Sequence, residues 1–374
     1  LPDQLSPLVR CFVTLADPRQ DINKQHFLAD IIAITLCGVI AGFESWEDIA
    51  MFAQHQEKWF RKFLRLPNGI PSHDTLRRVF LMLDTKTFSK CFTQWMQEIQ
   101  KSSDNKVYAI DGKTLRHSFD QASGKAVIHM ISAWCVENGV VIGQLAVDGK
   151  TNEITAIPEL LQFLDLKGAL ITIDAMGCQT AIAQKIVQGK GEYLLAVKGN
   201  QPDLHNQLKD FFGEAERTNF EDVTYEQYRD TDAGHGRIEK RECFVVQDLD
   251  WLEGKIRWSD LLKVIMVRAT RREKGKESIE RRYFISNSRR TTKDLGEIIR
   301  GHWTIENSLH YILDVTFFED QSRKRKDNSA INFGLIRRAA LSLLKQRGEC
   351  KGSTRWKRHL AAMDVSFLEK VIGG

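Results

Sequence analysis

The chain runs to 374 residues, 42% of them hydrophobic and 28% charged, with a formal net charge of +5 and seven cysteines. That length is well above the roughly 100–200 residues of one domain, so two or three units are expected, with ample apolar material for a real core. The cysteines stand singly, with no C-x-x-C pair, which argues against a disulfide framework and a structural zinc site and for a reducing cytoplasm. No signal peptide with a charged start and a cleavage site is visible; because the first residue is Leu1, a few residues are expected upstream. The charge is unevenly spread. Between Asp320 and Leu360 there are twelve Lys/Arg against three Asp/Glu, or +9, leaving −4 on the rest of the chain. A basic segment on a near-neutral body suits contact with a polyanion, because each neutralised phosphate releases counterions.

Up to about residue 100 the pattern is helical, with helices predicted over 26–42, 46–64, 74–83 and 86–100. The first includes Phe27 to Phe43, apolar apart from Asp30 and Thr35. It falls short of the ~20 residues that span a bilayer and carries an acid, which makes it a buried bundle helix. Ser72 and Asp74 offer N-cap oxygens ahead of Leu76, Val79, Phe80 and Leu83, whose spacing makes one apolar face. Arg77 and Arg78 are the exposed candidates for DNA contact, since compact helical units of this kind either simply pack or lay a helix in the major groove.

After the polar KSSDNK, strands are predicted at 107–111, 126–136 and 140–147, the last two joined by the hairpin signal ENG. Helix 155–164, strand 169–174, helix 179–188 and strand 192–197 follow, then a helix from Gln201 to Phe212. Antiparallel strands followed by alternating helix and strand define a mixed α/β layer structure. Strand signals return between about 220 and 288, in VTYEQYRD, RIEKRECFVVQ, LLKVIMVRAT and ERRYFISN, with charged loops between them. This reads as a β-rich insertion. A long helix is predicted from Thr291 to about Leu313, with Thr292 and Asp294 as N-cap candidates, and another over 328–346.

Two of these strands deliver an aspartate. VYAIDGKTLRHSFD reads as a strand that stops at Asp111, where Gly112 and Lys113 break the pattern, and LITIDAMG ends likewise on Asp174. If the strands are neighbours, both carboxylates converge at one sheet edge. With no His or Cys cluster nearby they make an oxygen-only site, suited to Mg²⁺ or Mn²⁺, and two such ions can stabilise the attacking and leaving oxygens of phosphoryl transfer. A third ligand is expected from the long helix, where His302, Glu306 and His310 sit four apart on one face with Trp303, Leu309 and Leu313. A Glu on an otherwise apolar face is costly unless paired or metal-bound. Zinc held by the two histidines and Glu306 stays open, although H-E-x-x-H spacing is absent. Asp314, Glu319 and Asp320 also stay open as the third ligand.

The order of motifs carries a resemblance. DPRQD, GFESWEDI, NGIPSHDTLRRVF, AIDGKTLRHS, NEITAIPELL, IDAMGCQ, LLAVKGNQP, HGRIEKR, YFISN, HWTIENSLHYILDVTFFED and a closing helix after NSAINFGLIRR follow one another over nearly the whole chain. The chain resembles bacterial insertion-sequence transposases of the DDE type, in the group of H-repeat-associated proteins found beside Rhs elements. The resemblance implies an α/β fold: a ribonuclease-H-like mixed sheet core with a β-rich insertion, an all-helical N-terminal domain before it and a basic helical tail after it. The implied division is 1–100 for the helical domain, 105–215 with 290–346 for the core, 216–289 for the insertion and 347–374 for the tail. Asp111, Asp174 and Glu306 become the catalytic, metal-holding triad, with Mg²⁺ as cofactor and Mn²⁺ as its substitute. The implied activity is cleavage of element ends and transfer of the freed strand into target DNA. The implied partners are double-stranded DNA and a second copy of the chain on that DNA, with no membrane, in the bacterial cytoplasm at the nucleoid.

The sequence also departs from the pattern. Related transposases often place a Tyr, an Arg and a Lys around the catalytic Glu, and here the matching positions hold Ile299, His302 and Leu313. Contacts to the DNA backbone are therefore expected from Arg300, His302, Arg323 and Lys324, from His235 and Arg237 in HGRIEKR, and from Lys113 and Lys198 just past the two strand ends. A defective relative that binds element ends without moving them, and a nuclease of the same core without strand transfer, are the alternatives.

Overall fold

The computed structural model describes residues 12, 15–99, 106–119, 126–148, 153–234, 237–273, 275–346 and 350–373. Two compact units emerge, one made of Leu1–Ser102, Gly112–Asn152 and Ile305–Gly374, the other of Ser103–Asp111 and Glu153–Thr304. The chain therefore passes between them four times, at Ser102/Ser103, Asp111/Gly112, Asn152/Glu153 and Thr304/Ile305.

In the first unit, helix α1 (Leu28–Ile40) is buried at every position, as an apolar run of that length requires. Helix α2 (Trp46–His55) starts on Ser45, whose hydroxyl accepts from the Asp48 amide at 3.0 Å. The predicted helix 46–64 divides at Gln56, and a short α3 (Glu57–Phe60) follows. In α4 (His73–Met82) the Ser72 hydroxyl accepts from the Thr75 amide. Leu76, Val79 and Phe80 are buried there, and Arg77 and Arg78 are exposed. Helix α5 (Thr85–Ile99) completes the N-terminal set.

Strands β2 (Ile128–Cys135) and β3 (Val140–Asp148) form the expected antiparallel hairpin, closed by Gly139 at φ +64°. Only a residue that tolerates the left-handed region suits that turn position. Later in the chain, helix α11 (Ser329–Gln346) is buried along most of its length and packs on α1, α4, α5 and β3, making it the centre of this unit's core. Helices α12 (Thr354–Met363) and α13 (Val365–Ile372) close the unit.

Part of the basic segment turns out to be internal. Arg337, Arg338, Lys357 and Arg358 are buried. Arg358 donates to the Val39 carbonyl at 2.9 Å and to Glu44 at 2.7 Å, and Lys357 donates to the Leu344 carbonyl at 3.0 Å. The +9 of this segment thus overstates the charge available to a polyanion. These side chains satisfy buried oxygens, which is the condition for burying a cation at all.

Asp30 presents the opposite case. Its carboxylate, 2% exposed inside α1, accepts from the Leu66 amide at 3.1 Å. Burial holds its pKa above the usual carboxylate value, against the pull of the Leu66 and Arg65 amides and the Arg65 charge. A carboxylate whose folded pKa exceeds its unfolded one costs stability as pH rises through that interval. Asp30→Asn keeps an acceptor for Leu66 and removes the charge. It should raise the melting temperature at pH 7.5 by about 2–4 °C, roughly 1 kcal/mol, with the gain vanishing towards about pH 4. Thermal unfolding of both chains across that range checks this, and a pH-independent difference would contradict it.

In the second unit, β1 (Val107–Leu115, the part up to Asp111), β4 (Leu170–Ile173) and β5 (Glu192–Val197) run parallel, with Val107 opposite Leu170 and Leu170 opposite Glu192. Helices α6 (Glu153–Leu161), α7 (Thr180–Gln188) and α8 (Pro202–Arg217) belong to the same unit. The β-rich segment is an antiparallel meander of β6 (Tyr225–Gly234), β7 (Arg237–Val246), β8 (Lys263–Glu273) and β9 (Lys276–Ser286). Its last strand pairs antiparallel with β5, Leu194 opposite Ser286, so the meander extends the parallel trio. Parallel β1, β4 and β5 in the second unit and the antiparallel β2–β3 pair in the first make this the expected mixed α/β class.

Strand β1 departs from expectation by continuing through Gly112 and Lys113 to Leu115. Its β4 neighbour is what ends at this level, since the last parallel pair is Ile110 with Ile173. Cys37, Cys91, Cys135, Cys178, Cys243 and Cys350 are free thiols. No helix among the described residues is long and apolar enough to cross a membrane.

Candidate active site

The register of β1 and β4 fixes the first feature of the site. With Ile110 opposite Ile173, the next residues, Asp111 and Asp174, leave the parallel pair at the same carboxyl edge. Ligands of open α/β sheets gather at that edge. Asp111 is half-buried and Asp174 exposed.

Asp174 is held by the turn it starts. Its Oδ1 accepts from the Met176 amide at 3.1 Å and the Gly177 amide at 3.5 Å, leading into a 3₁₀ turn over Ala175–Gly177. A Cβ at Gly177 would collide with the Ile173 side chain, which explains the glycine of IDAMG. The loop after β5 props the same turn from the other side. Asn200 Nδ2 donates to the Ala175 carbonyl, and Gln201 Nε2 donates to the Cys178 carbonyl at 2.9 Å. Neither residue was among the candidates read from sequence; the KGNQ stretch after a strand was the available signal.

Helix α9 (Thr292–His302) begins with a capping box between Thr291 and Asp294, one residue before the predicted cap. It ends with His302 Nδ1 lying 2.8 Å from Thr172 Oγ1 on β4, two residues before Asp174. The predicted long helix does not continue in α register. After a turn at Trp303 the chain makes a π-helical turn over Glu306–His310 and resumes as α10 (Tyr311–Val315). The α register between His302 and His310 is thus interrupted, while Glu306 and His310 still lie on one side of the segment. Leu309 and Leu313 are buried as expected, but Trp303 is 55% exposed and the Glu306 side chain 54% exposed. Glu306 therefore pays no burial penalty. Its Oε2 lies 3.4 Å from Nδ1 of the buried His310. Single π turns inside α-helices occur often at functional sites.

Asp314, Glu319 and Asp320, considered as alternative third ligands, surround an internal cation instead. The Lys113 ammonium lies 2.7 Å from Asp314, 3.1 Å from Asp320 and 3.7 Å from Glu319. Burial pushes the Asp314 pKa up, with the Asp320 and Glu319 charges acting in the same direction, against the pull of Lys113. Lys113 does not stand past a strand end, and its side chain, 8% exposed, is turned inward. It is not placed as a phosphate contact.

The remaining cation candidates divide by environment. Lys198 is exposed and lines a cavity of about 270 Å³ against Asp174, with Arg281, Arg282, His302 and Trp303 also on its wall. Arg282 was not among the sequence candidates; its guanidinium sits 5.6 Å over the Trp303 ring. Arg300 is tied to Asp230 at 2.7 Å and Asp232 at 2.6 Å on β6, which joins α9 to the meander. Lys324 donates to the Glu44 carbonyl at 2.6 Å and lies 4.0 Å from the Phe333 ring centre. Burial brings its pKa down to about 8. Lys324 is engaged internally, which departs from a role as a phosphate contact, whereas Arg300 stays exposed at the surface. Arg323 is exposed. Arg237 opens β7 opposite Gly234, and His235 lies outside the described residues.

Comparison with known proteins matches the DDE_Tnp_1-associated family to residues 9–96 and the family described as Transposase DDE domain to residues 102–343. "Putative transposase YncI" of Escherichia coli O157:H7 is 41% identical over 96% of this chain and 92% of its own length. "H repeat-associated putative transposase YhhI" of Escherichia coli K12 is 39% identical over 99% of both chains. Among solved structures, a piggyBac transposase synaptic complex with hairpin DNA matches at a TM-score of 0.47 and 13% identity, covering 98% of this chain and 78% of that one, too weak a likeness to argue from. The chain belongs to the DDE-type insertion-sequence transposases, in the group of H-repeat-associated proteins.

Proposed function

We propose that the chain is a metal-dependent DNA transposase in which Asp111, Asp174 and Glu306 act together as the catalytic carboxylates. The observation that carries this is the strand register that sets Asp111 and Asp174 at one sheet edge. The His302–Thr172 hydrogen bond supports Glu306 as the third member. Glu306 follows His302 by four residues, a tether of at most about 14 Å.

The donor set fits a hard divalent ion. All three groups are carboxylates, Asp174 and Glu306 are exposed, and both amide bonds to Asp174 use Oδ1, so Oδ2 carries neither of them. Mg²⁺, with Mn²⁺ as substitute, would supply an activated water and charge stabilisation at the scissile phosphate. The protein's own part is placement. The parallel strands fix the two aspartates, the Met176 and Gly177 amides orient Asp174, and His302 anchors the end of α9 on β4. Lys198, Arg282 and Arg323 are the proposed contacts to DNA phosphates, with His235, Arg237 and His302 kept from the sequence reading.

The reaction is hydrolysis at element ends followed by attack of the freed 3′-OH on target DNA. The partners are double-stranded DNA and a second copy of the chain, since two ends must be brought together, and the setting is the bacterial cytoplasm at the nucleoid. Within this reading, residues 105–215 and 290–346 form the catalytic division, 216–289 the insertion, 1–100 a DNA-contacting helical part and 347–374 the tail. Incubating the purified chain with Mn²⁺ and labelled duplexes carrying the ends of its surrounding element tests this. Joined products are expected. Nicks alone would identify a nuclease without strand transfer, and shifted but uncut DNA a defective end-binding protein.

A further inference from the structure

Lys113 acquires a different role once it is removed from the DNA contacts. It follows Asp111 by two residues on β1, so the two side chains emerge on the same side of the strand. Its ammonium is held at 2.7 Å by Asp314 on α10, eight residues after Glu306 and four after His310. Asp320 and Glu319 complete the shell at 3.1 and 3.7 Å. Those acids have further partners of their own: Arg116 lies 3.1 Å from Asp320, and the fully buried Arg338 lies 2.7 Å from Glu319. Among the described residues, Lys113, Arg116 and Arg338 thus pair with these three carboxylates, with Lys113 at the centre. A long unbranched ammonium in such a shell has little freedom left, so it fixes the spacing between the two elements it joins.

We propose that Lys113 is a positioning residue for the divalent-ion site, clamping the helix that follows Glu306 onto the strand that carries Asp111. This rests on the triad reading above. Carboxylates that share an ion need placement to within about 0.5 Å. Removing groups that orient metal ligands from behind typically lowers metal affinity roughly 10- to 100-fold.

The test uses the full-length chain and Mn²⁺ alone, with free Mn²⁺ followed by electron paramagnetic resonance. Lys113→Met is expected to bind Mn²⁺ roughly 10- to 100-fold more weakly, and Lys113→Arg, which restores a cation, to recover most of that loss. Duplex DNA binding by both should match the wild type. A folded Lys113→Met chain with wild-type Mn²⁺ affinity overturns the proposal. So does one that loses DNA affinity while Mn²⁺ binding holds, the signature of a phosphate contact. Should Lys113→Met fail to fold, Asp314→Asn decides, because it weakens the link to the helix while leaving the ammonium with Asp320 and Glu319. Weakened Mn²⁺ binding is expected there, and unchanged binding overturns the clamp. Asp111→Asn, measured in parallel, separates the two ideas. Wild-type Mn²⁺ affinity in that variant removes the triad itself, whereas weak binding there beside normal binding in Lys113→Met removes the positioning role alone.

Discussion

Asp111→Asn is expected to lower Mn²⁺-dependent cleavage by at least about 10³-fold, roughly 4 kcal/mol of transition-state stabilisation, while duplex binding stays essentially unchanged. The substitution keeps shape and removes the negative charge that a hard cation needs. Asp174→Asn should behave alike and is structurally mild, because an amide oxygen can still accept from the Met176 and Gly177 amides. Cleavage and gel-shift assays on the same preparations separate catalysis from binding. Wild-type cutting by Asp111→Asn, or equal losses in cutting and binding, would remove this residue from the chemistry.

Arg338→Met is expected to destabilise the first unit by about 3–5 kcal/mol, the usual result of leaving a buried charge without its partner. Arg338 is fully buried on α11 and bonds Glu319 at 2.7 and 3.3 Å, and Glu319 is itself buried. Burial alone would raise the Glu319 pKa, yet Arg338, Lys113 and Arg337 together hold it below the usual value. A depressed folded pKa gives stability that is present above the unfolded value, near 4.3, and is lost as pH falls through the folded one. The wild type should therefore begin to lose this contribution below about pH 4, and Arg338→Met should lack it throughout. Adding Glu319→Gln to Arg338→Met should recover a good part of the loss, since the stranded carboxylate is then neutral. Thermal unfolding of the single and double variants measures this; a single variant within about 1 kcal/mol of wild type would show that the pair is dispensable.

The parts of this molecule that were legible in its sequence are those governed by local chemistry. The apolar run of α1, the Ser72 cap of α4, the ENG turn and the β-branched runs before Asp111 and Asp174 each carry their signal within a few residues. Lys113 illustrates what local pattern cannot carry. It looked like a break after a strand, because the carboxylates that allow its burial lie about 200 residues further on. The basic count from Asp320 to Leu360 overstated the exposed charge for the same reason, since Glu44 and the Val39 carbonyl, which absorb Arg337 and Arg358, belong to the N-terminal helices and their loop. At the candidate site both aspartates could be named from sequence. The props of Asp174, Asn200 and Gln201, could not, because a side-chain amide bonding to a remote carbonyl leaves no periodic trace.

The π turn over Glu306–His310 has a consequence for how this segment tolerates changes in length. A π turn amounts to one residue inserted into an α-helix, and each residue of an α-helix advances the side chains by about 100°. The bulge spares the segment that advance: the extra residue is taken up within the turn, so Leu313 stays buried and Asp314 stays on Lys113. Deleting one residue between Glu306 and His310 would let the coil relax into regular geometry with Leu313 and Asp314 close to their present phase, whereas adding another would need either a second bulge or a swing of about a quarter-turn. Homologous chains should therefore lose a residue across this stretch more readily than gain one.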